Sequence, residues 1–136
     1  MQPAASKTLA LRTSQITYPG AAEHIRRDRD DLRPLLTGCP MADGIILCAS
    51  ELAANAALHS NSGLPGGTFT VRTQISPGHN VRIEVEDNGG SWTPAITNSA
   101  GHHGLDIVRT LATGWGTEGG HATRTTWARF DWPDRQ

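Results

Sequence analysis

Two short stretches of this chain alternate strictly between apolar and polar positions. Phe69, Val71, Thr73 and Ile75 form one set, and Val81, Ile83 and Val85 the other. A period of two places each set on one side of a strand. Ser76-Pro77-Gly78-His79-Asn80 between them is turn chemistry, so the two strands are expected to pair as an antiparallel hairpin. Upstream the rhythm is helical. Between Ala21 and Leu36 the positions Ala22, Ile25, Leu32 and Leu36 share a stripe, Arg29 falls in the same stripe, and Pro34 limits the helix. A second helix spans Ala42 to Ser60, with Asp43 as its expected cap and Ile46, Ala49, Leu52, Ala53 and Ala56 as a small-residue packing face. Asn61-Ser62-Gly63 ends it.

The flanks complete the order. Residues 1–8 are small and polar and read as a flexible leader, followed by a strand from Leu9 to Tyr18 that Pro19-Gly20 stops. After Gly89-Gly90 an irregular segment runs to about His103. A short amphipathic helix follows with Leu105, Ile107, Val108, Leu111 and Ala112, closed by Gly114. Thr117 to Thr123 is turn-rich and Thr125 to Trp132 reads as the last strand. The order β, α, α, β, β, loop, α, β, β predicts an α+β fold in one domain, residues 9–132, with helices on one face of a mostly antiparallel sheet.

Composition narrows the function classes. The chain has 136 residues, room for one domain with a real core. Twelve Lys and Arg against thirteen Asp and Glu leave a net charge of -1 with no basic block, which argues against direct nucleic-acid binding. Cys39 and Cys48 match neither CxxC nor a disulfide framework and are expected as packed, reduced thiols. No stretch resembles a signal peptide or approaches the roughly 20 apolar residues that span a bilayer. The expectation is a cytoplasmic protein without a membrane partner.

Three short motifs carry candidate chemistry. Glu51 and Asn55 lie four residues apart, hence on one helical face, and His59 extends the row. A magnesium-nucleotide site needs hard oxygen ligands and a base near the terminal phosphate, which this pair offers; the alternative is a solvated helix face. Asp87-Asn88-Gly89-Gly90 directly follows the second alternating strand, and the alternation puts Asp87 on the apolar side with Val81, Ile83 and Val85. A buried carboxylate needs donors, and an adenine amino group in an apolar slot is one. The alternative is an Asn-Gly turn in which Asp87 bonds its own backbone. Gly101-His102-His103-Gly104-Leu105 enters the third helix, where free backbone amides bind phosphate and His103 adds a donor. A flexible loop or a histidine metal site are the alternatives, though no spaced Cys or acidic partner completes a ligand pattern.

Taken in order, Glu51-x-x-x-Asn55, Asp87-x-Gly89 and Gly104-Leu105 resemble the three nucleotide-binding boxes of the GHKL ATPase superfamily, over about Tyr18 to Phe130. Within it the chain looks like the anti-sigma-factor serine kinases, through Tyr18-Pro19-Gly20 leading to Arg29, Glu51-Leu52 to Asn55-Ala56 with His59-Ser60, Leu111-Ala112 to Trp115-Gly116, and Arg124-Thr125-Thr126-Trp127. The resemblance implies a Bergerat-type two-layer α/β sandwich with a mostly antiparallel mixed sheet. It implies ATP and Mg2+ as cofactors, Glu51 as general base, Asn55 as magnesium ligand and Asp87 as adenine anchor, with Gly89, His103, Gly104, Leu105 and Thr125 lining the nucleotide. It also implies a sigma factor meeting Arg29, a STAS-type anti-anti-sigma partner phosphorylated on serine, and a homodimer. With no helical hairpin carrying a phospho-acceptor histidine, a stand-alone domain is expected. One departure stands out: the family's Gly-Arg-Gly-Leu reads here as His102-His103-Gly104-Leu105. Two classes therefore remain, a protein-serine kinase and a non-catalytic module in which ATP orders the Thr93 to Gly104 segment. A small fold without nucleotide is the third.

Overall fold

The computed structural model describes residues 11–90 and 104–133. The chain order is β1 (Arg12–Pro19), α1 (Glu23–Leu35), α2 (Ala42–His59), a 3-10 turn (Asn61–Gly63), β2 (Thr68–Ser76), β3 (Asn80–Asp87), α3 (Gly104–Leu111), β4 (Gly114–Gly119) and β5 (Arg124–Asp131). The strands form one sheet, β1-β2-β3-β5-β4, and every neighbouring pair is antiparallel. The α+β class and the helices on one face stand as expected. The parallel component of a mixed sheet is absent among the described residues. The expected leader, residues 1–8, lies outside them.

Alternation dictates the two layers. On β2 and β3 the inward residues Phe69, Val71, Ile75, Val81, Ile83 and Val85 are buried, and their neighbours stand on the opposite face. The α2 side chains Ile45, Ile46, Ala49, Leu52, Ala53 and Ala56 close over them. Full burial of one such large apolar side chain stabilises by roughly 1.5–3 kcal/mol. Many small residues in α2 let the helix lie close to the sheet. Both cysteines are free and buried in this layer. Burial raises the Cys48 thiol to about 11, with the Glu51 charge adding to it, and burial raises that of Cys39 as well.

Four local expectations change. Asp43 does not cap α2: the N-cap is Met41 without a side-chain bond, and Asp43 instead lies 3.8 Å from Arg33. In α1 the buried positions are Asp28 and Leu32, while Ala22 is exposed and Arg29 half-buried. Gly114 does not close α3, which ends at Leu111; it opens β4. Finally, Gly114–Gly119, half assigned to a turn, pairs along its whole length with β5. A Cβ on Gly116 would stand 3.0 Å from the Trp127 indole nitrogen, so this glycine makes room for the ring on the outer face.

That outer face carries paired charges. The Arg82 guanidinium stacks 4.4 Å over Trp127 and donates to Glu84, while Arg72 donates to Glu84 and Glu86. Burial alone would raise the Glu84 carboxyl, but the bonds from Arg82 and Arg72 outweigh it and hold the group low. Among the described residues no helix is long and apolar enough to cross a membrane.

Candidate nucleotide site

The site is built where the end of α2 meets the end of β3. Asp87 ends the inward apolar row of β3 and is 3% exposed. Its Oδ1 accepts the Gly89 amide at 2.7 Å, so the carboxylate does bond its own turn while facing the core. Gly89 and Gly90 follow with φ of 70° and 105°, backbone that residues with a Cβ rarely adopt. A Cβ on Gly89 would come within 2.7 Å of the Gly120 carbonyl oxygen and closer still to that of His121.

This turn is clamped from three sides. From the 3-10 turn after α2, the Asn61 amide donates to the Gly89 carbonyl at 2.9 Å and the Ser62 hydroxyl accepts the Asn88 amide at 2.9 Å. Ser62 is in turn placed by Ser60, whose Oγ accepts the Ser62 amide and donates to the Ala56 carbonyl. From β2, the Thr68 amide donates to Asn88 Oδ1 at 2.9 Å. From the β4–β5 turn, the His121 carbonyl accepts the Gly90 amide at 3.0 Å and Arg124 Nη2 donates to the Gly90 carbonyl at 3.1 Å. Sequence reasoning missed Ser62, Asn88 and Arg124. The Asn-Gly pair and the Ser-Asn-Ser run at the helix end were the available signals.

Glu51 and Asn55 lie half-buried on α2, one turn apart, and His59 is exposed. Helix α3 packs antiparallel to α2: the Cys48 thiol points at the Ile107 carbonyl at 3.9 Å, and Leu111 lies against Gly44. Continuing that progression by one turn brings the N-terminus of α3, which begins at Gly104, level with Glu51. Leu105 is buried there. His102 and His103 lie outside the described residues, as does the rest of the Thr93 to Gly104 segment before α3. Thr125 is not brought to the Asp87 side. It pairs with Glu86 on the outer face, and Thr126, paired with Val85, is the buried threonine on the inner face. Arg29 stands on α1, away from this turn in the chain and in a different element. No group of three or more His, Cys, Asp or Glu among the described residues is placed to hold a metal ion, so a magnesium ion would depend on Asn55, Glu51 and the nucleotide's own oxygens.

No protein-family model matches this sequence, and no curated protein matches it. Solved structures do. The crystal structure of the RsbU and RsbW domains of Rv1364c from Mycobacterium tuberculosis superposes with a TM-score of 0.67 at 20% identity, over 91% of this chain and 34% of that one. The fold is that of the GHKL ATPases. The histidine kinase domain of the blue-light-activated histidine kinase EL346 from Erythrobacter litoralis agrees, with a TM-score of 0.53 at 20% identity over 92% of this chain and 71% of that one. This chain therefore spans about a third of the first structure's length. In this fold the Asp87–Gly90 turn is held against the 3-10 turn that follows α2, and α3 runs beside α2.

Proposed function

We propose that this chain is a regulatory ATP-binding protein that binds magnesium-ATP between α2, the Asp87-Gly90 turn and the N-terminus of α3. The observation that carries the reading is Asp87, a carboxylate at the end of an apolar strand face, buried and followed by two glycines of positive φ. Its Oδ1 is taken up by Gly89, which holds the carboxyl group in one orientation. A carboxylate held at the end of an apolar strand face is of the kind that takes an adenine amino group, a donor that offsets the cost of burying the charge. Asn55 and Glu51 supply hard oxygens of the kind magnesium takes, and the amides at Gly104 and Leu105 favour phosphate oxygens. Bound magnesium would supply charge neutralisation at the phosphates.

The finer reading follows the resemblance. Glu51 takes the proton from a serine hydroxyl of a STAS-type anti-anti-sigma protein, and the γ-phosphoryl passes to that serine. A sigma factor docks on the α1 surface around Arg29, and the protein acts as a homodimer. Similarity of fold to a chain containing an RsbW domain supports this reading.

A second reading, a non-catalytic module gated by nucleotide, is favoured by the His102-His103-Gly104-Leu105 sequence, which replaces an arginine by a residue often neutral at pH 7. Labelled ATP with candidate STAS proteins separates the two. Phosphoserine on the partner, lost in Glu51→Gln, is the expected result; nucleotide binding without transfer to any partner supports the module instead.

A further inference from the structure

Asp28 is a buried carboxyl group, among the described residues, that nucleotide binding leaves unused. It sits in the middle of α1, 2% exposed, and its Oδ2 has no hydrogen-bond partner. Beside it lies a partly open hollow of about 10 Å3, barely room for one water. Ile16, Leu32, Leu35 and Val71 make that hollow largely apolar, and the Ser14 and Thr73 side chains also reach it. The ionisable groups around it include Arg27 of α1, whose charge acts on Tyr18. Asp31 lies on the same helix face and accepts the Tyr18 hydroxyl of β1 at 2.7 Å. Arg29, adjacent in α1, attracts the Asp28 charge, and His24 stands one turn earlier, 3.7 Å from Glu23. Neither β2 nor α2 contributes an ionisable group to the hollow's wall.

We propose that Asp28, Asp31 and Tyr18 form a proton-operated latch that fastens α1 to β1. While Asp28 is neutral, α1 closes over β1 with the Tyr18–Asp31 bond made; when Asp28 loses its proton to solvent, the buried charge draws water in and α1 lifts. The physical reason is that Asp28 is buried in an apolar seam with Asp31 at its exposed edge, close enough to repel a second negative charge, so Asp28 holds its proton. Burial first, and the Asp31 charge second, push Asp28 up to about 7, outweighing Arg29. Burial and the bond to Asp31 push Tyr18 up as well, so it remains the donor throughout. The latch spans the helix that carries Arg29, so its effect on a sigma factor rests on the function proposed above. The latch itself does not.

Carbon-detected NMR of the carboxyl groups, with amide exchange on the full chain without nucleotide, tests it. The Asp28 Cγ is expected to titrate near neutral pH. Between pH 6 and pH 8, protection of the α1 amides is expected to fall roughly tenfold relative to α2 after correction for intrinsic exchange, the ratio that linkage to one such proton gives. Asp28→Asn should make α1 insensitive to pH, and Tyr18→Phe should weaken its protection at both values. An Asp28 midpoint near 4 in the wild type overturns the proposal even if the variants do not fold. So do equal responses of α1 and α2. Protection of α1 that depends on sodium or magnesium at fixed pH also overturns it, in favour of a cation between the carboxylates.

Discussion

Replacing Gly89 by alanine separates a conformational cost from a packing cost, because Gly78 provides an internal control. Both glycines have positive φ, 70° at Gly89 and 81° at Gly78. A Cβ on Gly78 meets nothing within 4 Å, whereas one on Gly89 runs into the carbonyls of Gly120 and His121. Gly78→Ala therefore costs only the left-handed backbone, about 1–2 kcal/mol. Gly89→Ala costs that and a forced separation of the two turns, about 1–3 kcal/mol more by analogy with overpacking. The separation also disturbs the Asn61–Gly89 and Gly90–His121 bonds, and with them the orientation of Asp87. Urea unfolding of both variants gives the two energies, and magnesium-ATP titration gives the functional half. Gly78→Ala should bind as wild type and Gly89→Ala should bind at least tenfold more weakly. Equal destabilisation by the two, or undiminished binding in Gly89→Ala, would refute the reasoning.

Two further outcomes concern buried groups and a third the outer face of the sheet. Asp28 is raised from 3.8 to about 7, so the folded state favours its protonated form; that contribution is fully present below about pH 4 and is lost as pH rises to 7. The span corresponds to at most roughly 4 kcal/mol, and Asp28→Asn should gain on the wild type in urea unfolding at pH 8 relative to pH 5; an unchanged difference would contradict it. The Cys48 thiol, raised to about 11 by burial and the Glu51 charge, should resist alkylation at pH 8 in the native protein and react only on unfolding. Gly116→Val should displace the Trp127 indole and with it the Arg82 stack, read as a change in tryptophan fluorescence with magnesium-ATP binding retained.

The sequence carried the sheet's interior well, because β2 and β3 bury one face and every second residue must then be apolar. A strand before the last one was expected but not placed on residues: Gly-Trp-Gly-Thr-Glu-Gly has no alternation, and pairing with β5 makes it strand β4. Periodicity also misjudged α1. The apolar stripe through Ile25 and Leu32 drew attention to Arg29, whereas the helix turns Asp28 inward, a position no hydrophobic pattern selects. The Asp87 side of the site was legible, since its phase follows from Val81, Ile83 and Val85. Thr125 was not, because choosing between adjacent threonines needs the β3–β5 register, which pairs Thr126 with Val85 and turns Thr125 to the outer face. The clamp by Ser62, Asn88 and Arg124 joins residues distant in sequence, and only the folded chain brings them together.

Thermal unfolding with and without magnesium-ATP, for wild type and Asp87→Asn, tests the central claim most directly. A ligand at a hundred times its dissociation constant stabilises by about 2.7 kcal/mol. The account predicts such a rise for the wild type and little or none for Asp87→Asn, with both proteins folded in the absence of nucleotide. No rise in the wild type at millimolar ATP, or an equal rise in both, would contradict it.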